Sequence, residues 1–247
     1  MSRDSRPICL TIGGSDSCGG AGIQADLRVF AASCVQGCSA TTALTAQNPV
    51  TISRIEPVSL AQLDAEIHAL FDYYDIAVVK TGMLVDAEHV ALISALLQQR
   101  HQGMLVVDPV FISSSGKQLL NEGGIDALIH GLLPLATLLT PNLDEAAVLL
   151  NRTVDDPVTA AKQLASMFSC AVLLKGGHGT GEMLLDVLYD AEGVIYEFSH
   201  ARQSWNEAQS HGTGCRLASA VSAQLALQEP LPQAIEKAVK KMQSGLA

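Results

Sequence analysis

A chain of 247 residues, 48% hydrophobic and 16% charged, has enough apolar content for a sizeable core and is not a disordered polymer. Its formal net charge of −10 argues against nucleic acid as a partner, because a phosphate backbone is bound by clustered Lys and Arg. An anionic ligand must then be held by backbone dipoles and a few placed cations. No apolar stretch is long enough to span a bilayer, Met1–Pro7 is polar rather than leader-like, and the six cysteines are scattered. Free thiols and a cytoplasmic location are expected, with Cys34 and Cys38 as packing residues rather than a metal clip.

In chain order, β-branched apolar runs alternate with segments of helical period, the pattern of βαβ units around a mainly parallel sheet. Ile8–Ile12 reads as a strand and Gly22–Cys34 as the helix after it. Leu60–Tyr73 is amphipathic, Ile76–Val79 a buried strand, Val85–Gln99 a helix, and Met104–Val107 a strand ending at Asp108-Pro109. Ala136–Leu139 is a strand, followed by a helix over Asn142–Leu150, another over Pro157–Met167, and a strand over Cys170–Leu174. Leu184–Tyr189 and Val194–Phe198, joined by Asp190–Gly193, read as a hairpin. A helix runs from about Gly212 to Leu227 and a last one follows Pro230. No repeat or linker interrupts the series, so residues 1–247 are expected to form a single domain.

Four segments at strand ends carry the chemistry, where open α/β sheets bind ligands. Gly13 to Gly22 is glycine-rich but is neither a Walker loop nor a clean dinucleotide fingerprint. Asp26, just inside the following helix, is open to a substrate hydrogen bond or to solvent. His211-Gly212-Thr213-Gly214-Cys215 stands directly before the apolar-periodic run Leu217, Val221 and Leu225. Unpaired N–H groups and the helix dipole there suit a transferring phosphoryl group, and the same field is expected to depress the Cys215 thiol pKa. A buried packing cysteine is the alternative. Lys175-Gly176-Gly177-His178-Gly179 can bring a cation to nucleotide phosphates or simply be a solvated loop. In Thr140-Pro141-Asn142-Leu143-Asp144-Glu145, Asn142 and Glu145 share a helix face. They can serve Mg²⁺, directly or through waters, or form a capping box.

Together these segments resemble the hydroxymethylpyrimidine/phosphomethylpyrimidine kinases of thiamine biosynthesis, in the ribokinase superfamily. The matching stretches, in the family's order, are TIGGSDSCGGAGIQADL, TALTAQN, VVKTGML, VVDPV, LLPLATLLTPNLDEA, LLKGGHG and SHGTGC. The resemblance implies a three-layer α/β/α ribokinase-like fold and two successive phosphorylations, of 4-amino-5-hydroxymethyl-2-methylpyrimidine and of its monophosphate, with ATP and Mg²⁺. It implies Gly14, Asp26, Gln47 and Met83 as the pyrimidine pocket, with Asp108 beside them. Asp108 and Glu145 would face metal and phosphates, Lys175 and Thr213 the ATP, and Cys215 would be catalytic in the Gly212-Thr213-Gly214 hole. Enzymes of this kind are often homodimers.

Three departures stand out. Arg216 replaces the usual Thr, facing either a bound phosphate or a surface carboxylate such as Glu207. Gln203–Ser210 leaves the family pattern, and the chain ends at Ala247, somewhat short of the usual length. Two other readings follow: a pyridoxal kinase, which resembles a dual-cysteine pattern that Val110–Lys117 lacks, and a catalytically silent pyrimidine-binding protein.

Overall fold

The computed structural model describes residues 6–113, 116–176, 183–203 and 211–244. Its centre is a nine-stranded sheet in the order β3-β2-β1-β4-β5-β6-β7-β8-β9. The strands are β1 (Ile8–Asp16), β2 (Gln36–Gln47), β3 (Ile52–Pro57), β4 (Ile76–Thr81), β5 (Met104–Val107), β6 (Leu138–Leu139), β7 (Ala171–Leu174), β8 (Met183–Tyr189) and β9 (Ile195–Ala201). From β2 through β7 neighbours pair in parallel, while β3, β8 and β9 pair antiparallel at the two edges.

Alternation along each strand divides the core in two. Cys9, Val78, Val106, Leu138 and Leu173 face one side, where α1 (Gly22–Ala32), α7 (Thr213–Ala226) and α8 (Leu231–Gln243) pack. Leu10, Val79, Leu105, Leu139 and Leu174 face the other, covered by α2 (Leu60–Phe71), α3 (Ala87–Arg100), α4 (Glu122–Ala127), α5 (Leu143–Leu150) and α6 (Pro157–Phe168). The chain thus builds the expected three layers. Several helices start on side-chain caps: Asp86 for α3, Asn121 for α4, Asn142 for α5 and Asp156, followed by Pro157, for α6.

Two parts differ from the sequence reading. The hairpin β2–β3 was not expected, because Gln36–Gln47 is small and polar and lacks the apolar run that marks a buried strand. Its last two residues, Ala46 and Gln47, pair only with β3, and Leu44 is exposed although it pairs with both β1 and β3. Helix α4, continued by a π-helical turn at Leu128–Leu132 and a 3-10 turn at Leu133–Leu135, was also missed. Gly123 and Gly124 lower its intrinsic propensity, and the Asn121 cap with burial of Leu128 and Leu132 offsets that. Among the described residues no helix is long and apolar enough to cross a membrane.

Candidate functional site

After β1 the chain crosses to β2 on one side and, later, to β4 on the other, so a crevice opens at the C-terminal ends of β1 and β4. It extends along the ends of β5, β6 and β7 as a groove of about 690 Å³. Gly14, Asp26, Gln47, Met83, Asp108, Asn142, Glu145, Lys175, Gly212, Thr213, Gly214 and Cys215 all line it. Residues as far apart in sequence as Gly14 and Cys215 therefore share one wall.

Helix α7 begins at Gly212, in a left-handed conformation (φ +76°) with no side-chain cap. Its first internal bond is made by the Arg216 N–H to the Gly212 carbonyl. The N–H groups of Thr213, Gly214 and Cys215, the first-turn donors of a 14-residue helix, have no hydrogen-bond partner among the described residues, and the dipole adds to them. Any side chain at Gly212 would strike the Gly20 carbonyl, so the two glycine turns lock together.

Two buried cations flank this hole. Lys80, 1% exposed at the end of β4, donates to Asp26 Oδ2 (2.9 Å). Lys175, following β7, donates to Asp108 Oδ1 (2.7 Å) and lies 3.9 Å from Glu145 Oε2. Burial is the largest single influence and pulls both amines down, but the surrounding anions together, led by Asp26 in one case and Asp108 in the other, outweigh it and raise both above the ordinary lysine value. Burial also pushes Asp108 up, but Lys175 and Lys80, with hydrogen bonds from Lys175 and Thr140, hold it below the carboxylate range. Glu145 ends elsewhere: burial pushes it to about 7, against the pull of Lys175 and with repulsion from Asp108.

The expected depression of the Cys215 thiol is corrected by the structure. Although the residue borders the groove, desolvation pushes the thiol up to about 12. Lys80 and Lys175 favour the thiolate, but Asp108 and Asp26 oppose them, so a helix terminus alone does not make this sulfur acidic.

Asp26 is also more occupied than the sequence suggests. Thr11 donates to Oδ2 (2.6 Å) and Ser219 to Oδ1 (2.5 Å), besides Lys80, and the residue is 1% exposed. It borders the groove mainly as the anchor of Lys80. Asn142 and Glu145 do form the capping box, with Glu145 N–H donating to Asn142 Oδ1 (2.8 Å) and Asn142 N–H to Glu145 Oε2 (2.7 Å). Gln47 meets the Ser17 hydroxyl through its backbone, its carbonyl accepting from the hydroxyl (2.8 Å) and its N–H donating to it (2.9 Å), and the residue borders the groove. Gly14 and Met83 pack together: a Cβ on Gly14 would sit 2.9 Å from Met83 Sδ.

Arg216 does not line the groove. Its Nη2 donates to the His211 carbonyl (3.4 Å), and burial and the neighbouring Arg28 hold its pKa down. Glu207, the surface carboxylate expected as one partner of Arg216, lies outside the described residues. So do Gly177, His178 and Gly179 of the glycine turn after Lys175 and the rest of 204–210.

Sequence reading missed Lys80, Asp16, His211, Asp186 and His200 as site builders. Lys80 carried a signal, a lysine within an otherwise apolar buried strand. Asp186 Oδ1 accepts the Gly176 N–H (2.8 Å) and its Oδ2 meets His200 Nε2 (3.1 Å), which is in turn joined to Gln243. These residues shape the far end of the groove between β8, β9 and α8.

A nine-stranded, mostly parallel sheet of this order, flanked by helices on both faces, is that of ribokinase-like small-molecule kinases. Two solved structures share it: phosphomethylpyrimidine kinase from Clostridium difficile 630 (TM-score 0.86, 33% identity, covering 98% of this chain and 100% of that one) and an ADP complex of Bacillus subtilis pyridoxal kinase (0.87, 33%, 96% and 90%). The chain belongs to the phosphomethylpyrimidine kinase family, whose model matches residues 16–247. A curated hydroxymethylpyrimidine/phosphomethylpyrimidine kinase from Rhizobium meliloti (strain 1021) is 39% identical over 244 residues, covering 97% of this chain and 90% of that protein.

Proposed function

We propose that this chain is an ATP-dependent kinase that phosphorylates hydroxymethylpyrimidine and then its monophosphate in thiamine biosynthesis, the whole chain acting as one domain. The observation that carries the reading is the first turn of α7, three N–H donors and Cys215 between Lys80 and Lys175, facing a groove walled by Gly14, Gln47 and Met83.

In this reading Gln47 pairs with polar atoms of the pyrimidine ring, Met83 packs on its face, and Gly14 leaves room for that packing. Asp26 holds Lys80, and Asp186 holds the backbone beside Lys175, so both cations are fixed before ligand arrives. Lys175 and the α7 N–H groups bind the phosphoryl oxygens, with Thr213 beside the nucleotide. Cys215 takes the hydroxyl proton once it is a thiolate; with a thiol near 12 that fraction grows tenfold per pH unit through neutrality. Asp108 and Glu145 fit Mg²⁺: two carboxylates line the groove around Lys175, and Asp108 Oδ2 and Glu145 Oε1 accept no hydrogen bond from the described residues. Mg²⁺ commonly takes one or two carboxylates beside phosphates and waters. When bound it would neutralise charge on the transferring group.

Pyridoxal is the second reading, favoured by the likeness to pyridoxal kinase structures. The test is ADP formation with hydroxymethylpyrimidine, its monophosphate and pyridoxal in parallel. The proposal expects the two pyrimidines to support turnover well above pyridoxal, and a preference for pyridoxal would reverse it.

A further inference from the structure

Beside the groove, three metal-ligating side chains converge: Asp16 at the end of β1, Cys18 in the next turn and His211 just before α7. One donor atom from each lies within 4.8 Å of the other two. His211 Nε2 is 2.9 Å from Asp16 Oδ2, and Cys18 Sγ is 3.5 Å from the same oxygen. Tetrahedral zinc, with a metal–sulfur bond of about 2.3 Å and metal–nitrogen or –oxygen bonds of about 2.0–2.1 Å, needs ligand atoms roughly 3.3–3.6 Å apart. The sulfur–oxygen edge already has that length, and the nitrogen–oxygen edge must open by only a few tenths of an ångström.

The donors are held in place by the backbone rather than by one another alone. Asp16 Oδ1 accepts the Cys18 N–H (2.9 Å) and Oδ2 accepts the Ala21 N–H (2.7 Å), which fixes the carboxylate plane. Gly20 makes room for the imidazole, since a Cβ there would run into His211 Cδ2. Asp16 and His211 are buried while Cys18 is exposed, which gives an ion a way in and a sulfur to meet first.

We propose that Asp16, Cys18 and His211 form a binding site for a thiophilic divalent cation of the zinc class, with a fourth position open to water. Thiolate, imidazole and carboxylate together suit zinc and not magnesium or calcium, so the site is separate from the one proposed at Asp108 and Glu145. On binding, the Cys18 thiol loses its proton to solvent, and the neutral imidazole offers its Nε2 lone pair with its hydrogen on Nδ1. The ion ties the turn after β1 to the turn that starts α7, and so stabilises the folded state. The inference does not depend on which substrate the groove takes.

The hydrogen-bonded cluster on its own is the competing account, and cobalt separates the two. Titration of the full chain with Co²⁺ is expected to give a thiolate-to-cobalt absorption band that Zn²⁺ abolishes, and Zn²⁺ is expected to raise the melting temperature. Cys18→Ser should remove the band, weaken Zn²⁺ by at least about tenfold and leave metal-free turnover unchanged, since Cys18 is outside the groove wall. Peptide mapping of alkylated protein should show Zn²⁺ protecting Cys18. An equal band and Zn²⁺ affinity in Cys18→Ser, or Zn²⁺ that leaves Cys18 alkylation untouched, overturns the proposal.

Discussion

Burial raises both Cys215 and Glu145, to about 12 and about 7, and each leaves its own signature in a pH profile. If Cys215 takes the hydroxyl proton, log kcat should climb with slope near one across neutrality, because the thiolate is a small, growing fraction. Cys215→Ala should lower turnover by about 10²–10⁴-fold and remove that slope, while nucleotide affinity stays close to normal. Near-parental turnover in the alanine variant rejects the assignment. Glu145 is protonated below about 7 and ionised above it, so Mg²⁺ should bind more weakly as pH falls through that value. In Glu145→Gln, which keeps the capping-box geometry open to a glutamine, Mg²⁺ dependence should be weak and nearly flat with pH. Mg²⁺ titrations of ADP formation at two pH values, one on each side of 7, compare the variants directly.

At the scale of elements, the sheet and α1 are joined by a buried ion pair rather than by apolar contact alone. Lys80 on β4 and Asp26 on α1 are each 1% exposed, and Thr11 of β1 and Ser219 of α7 complete the carboxylate's shell. Removing one member leaves the other charged and buried. Lys80→Met should therefore cost about 3–5 kcal/mol of folding stability, whereas Lys80→Met with Asp26→Leu should recover most of it. Denaturant melts of the three proteins test this, and a Lys80→Met loss below about 1 kcal/mol would show the pair to be solvated. Activity should be lost in both variants if Lys80 faces the phosphoryl group, which separates its two roles. The hairpin β2–β3 shows the opposite economy: it brings Gln47 to the groove on a strand with little apolar content, and its register is held by pairing with β1 and β3.

Across the whole molecule, strands β1, β4, β5, β6 and β7 were legible because buried parallel strands are continuous apolar runs, and their order follows from alternation with helices. The glycine turns and the α7 start were legible because only such residues leave N–H groups unpaired at a strand's end. Several things were not. Gln36–Gln47 has no period to read, the Cys215 pKa depends on Lys80, Lys175, Asp108 and Asp26 from distant parts of the chain, and the partner Arg216 takes, the His211 carbonyl, depends on how the turn before α7 folds. Asp16 and His211 meet across 195 positions of sequence, and no local pattern announces such a contact. The central claim, that this groove transfers phosphoryl groups from ATP to a pyrimidine alcohol, is tested most directly by following products. Phosphorus NMR of the protein with Mg-ATP and hydroxymethylpyrimidine should show the monophosphate first and the diphosphate after it, with neither accumulating in Cys215→Ala. Unchanged ATP and pyrimidine under the same conditions, with tight pyrimidine binding by calorimetry, would contradict the account and make the chain a binding protein on a kinase fold.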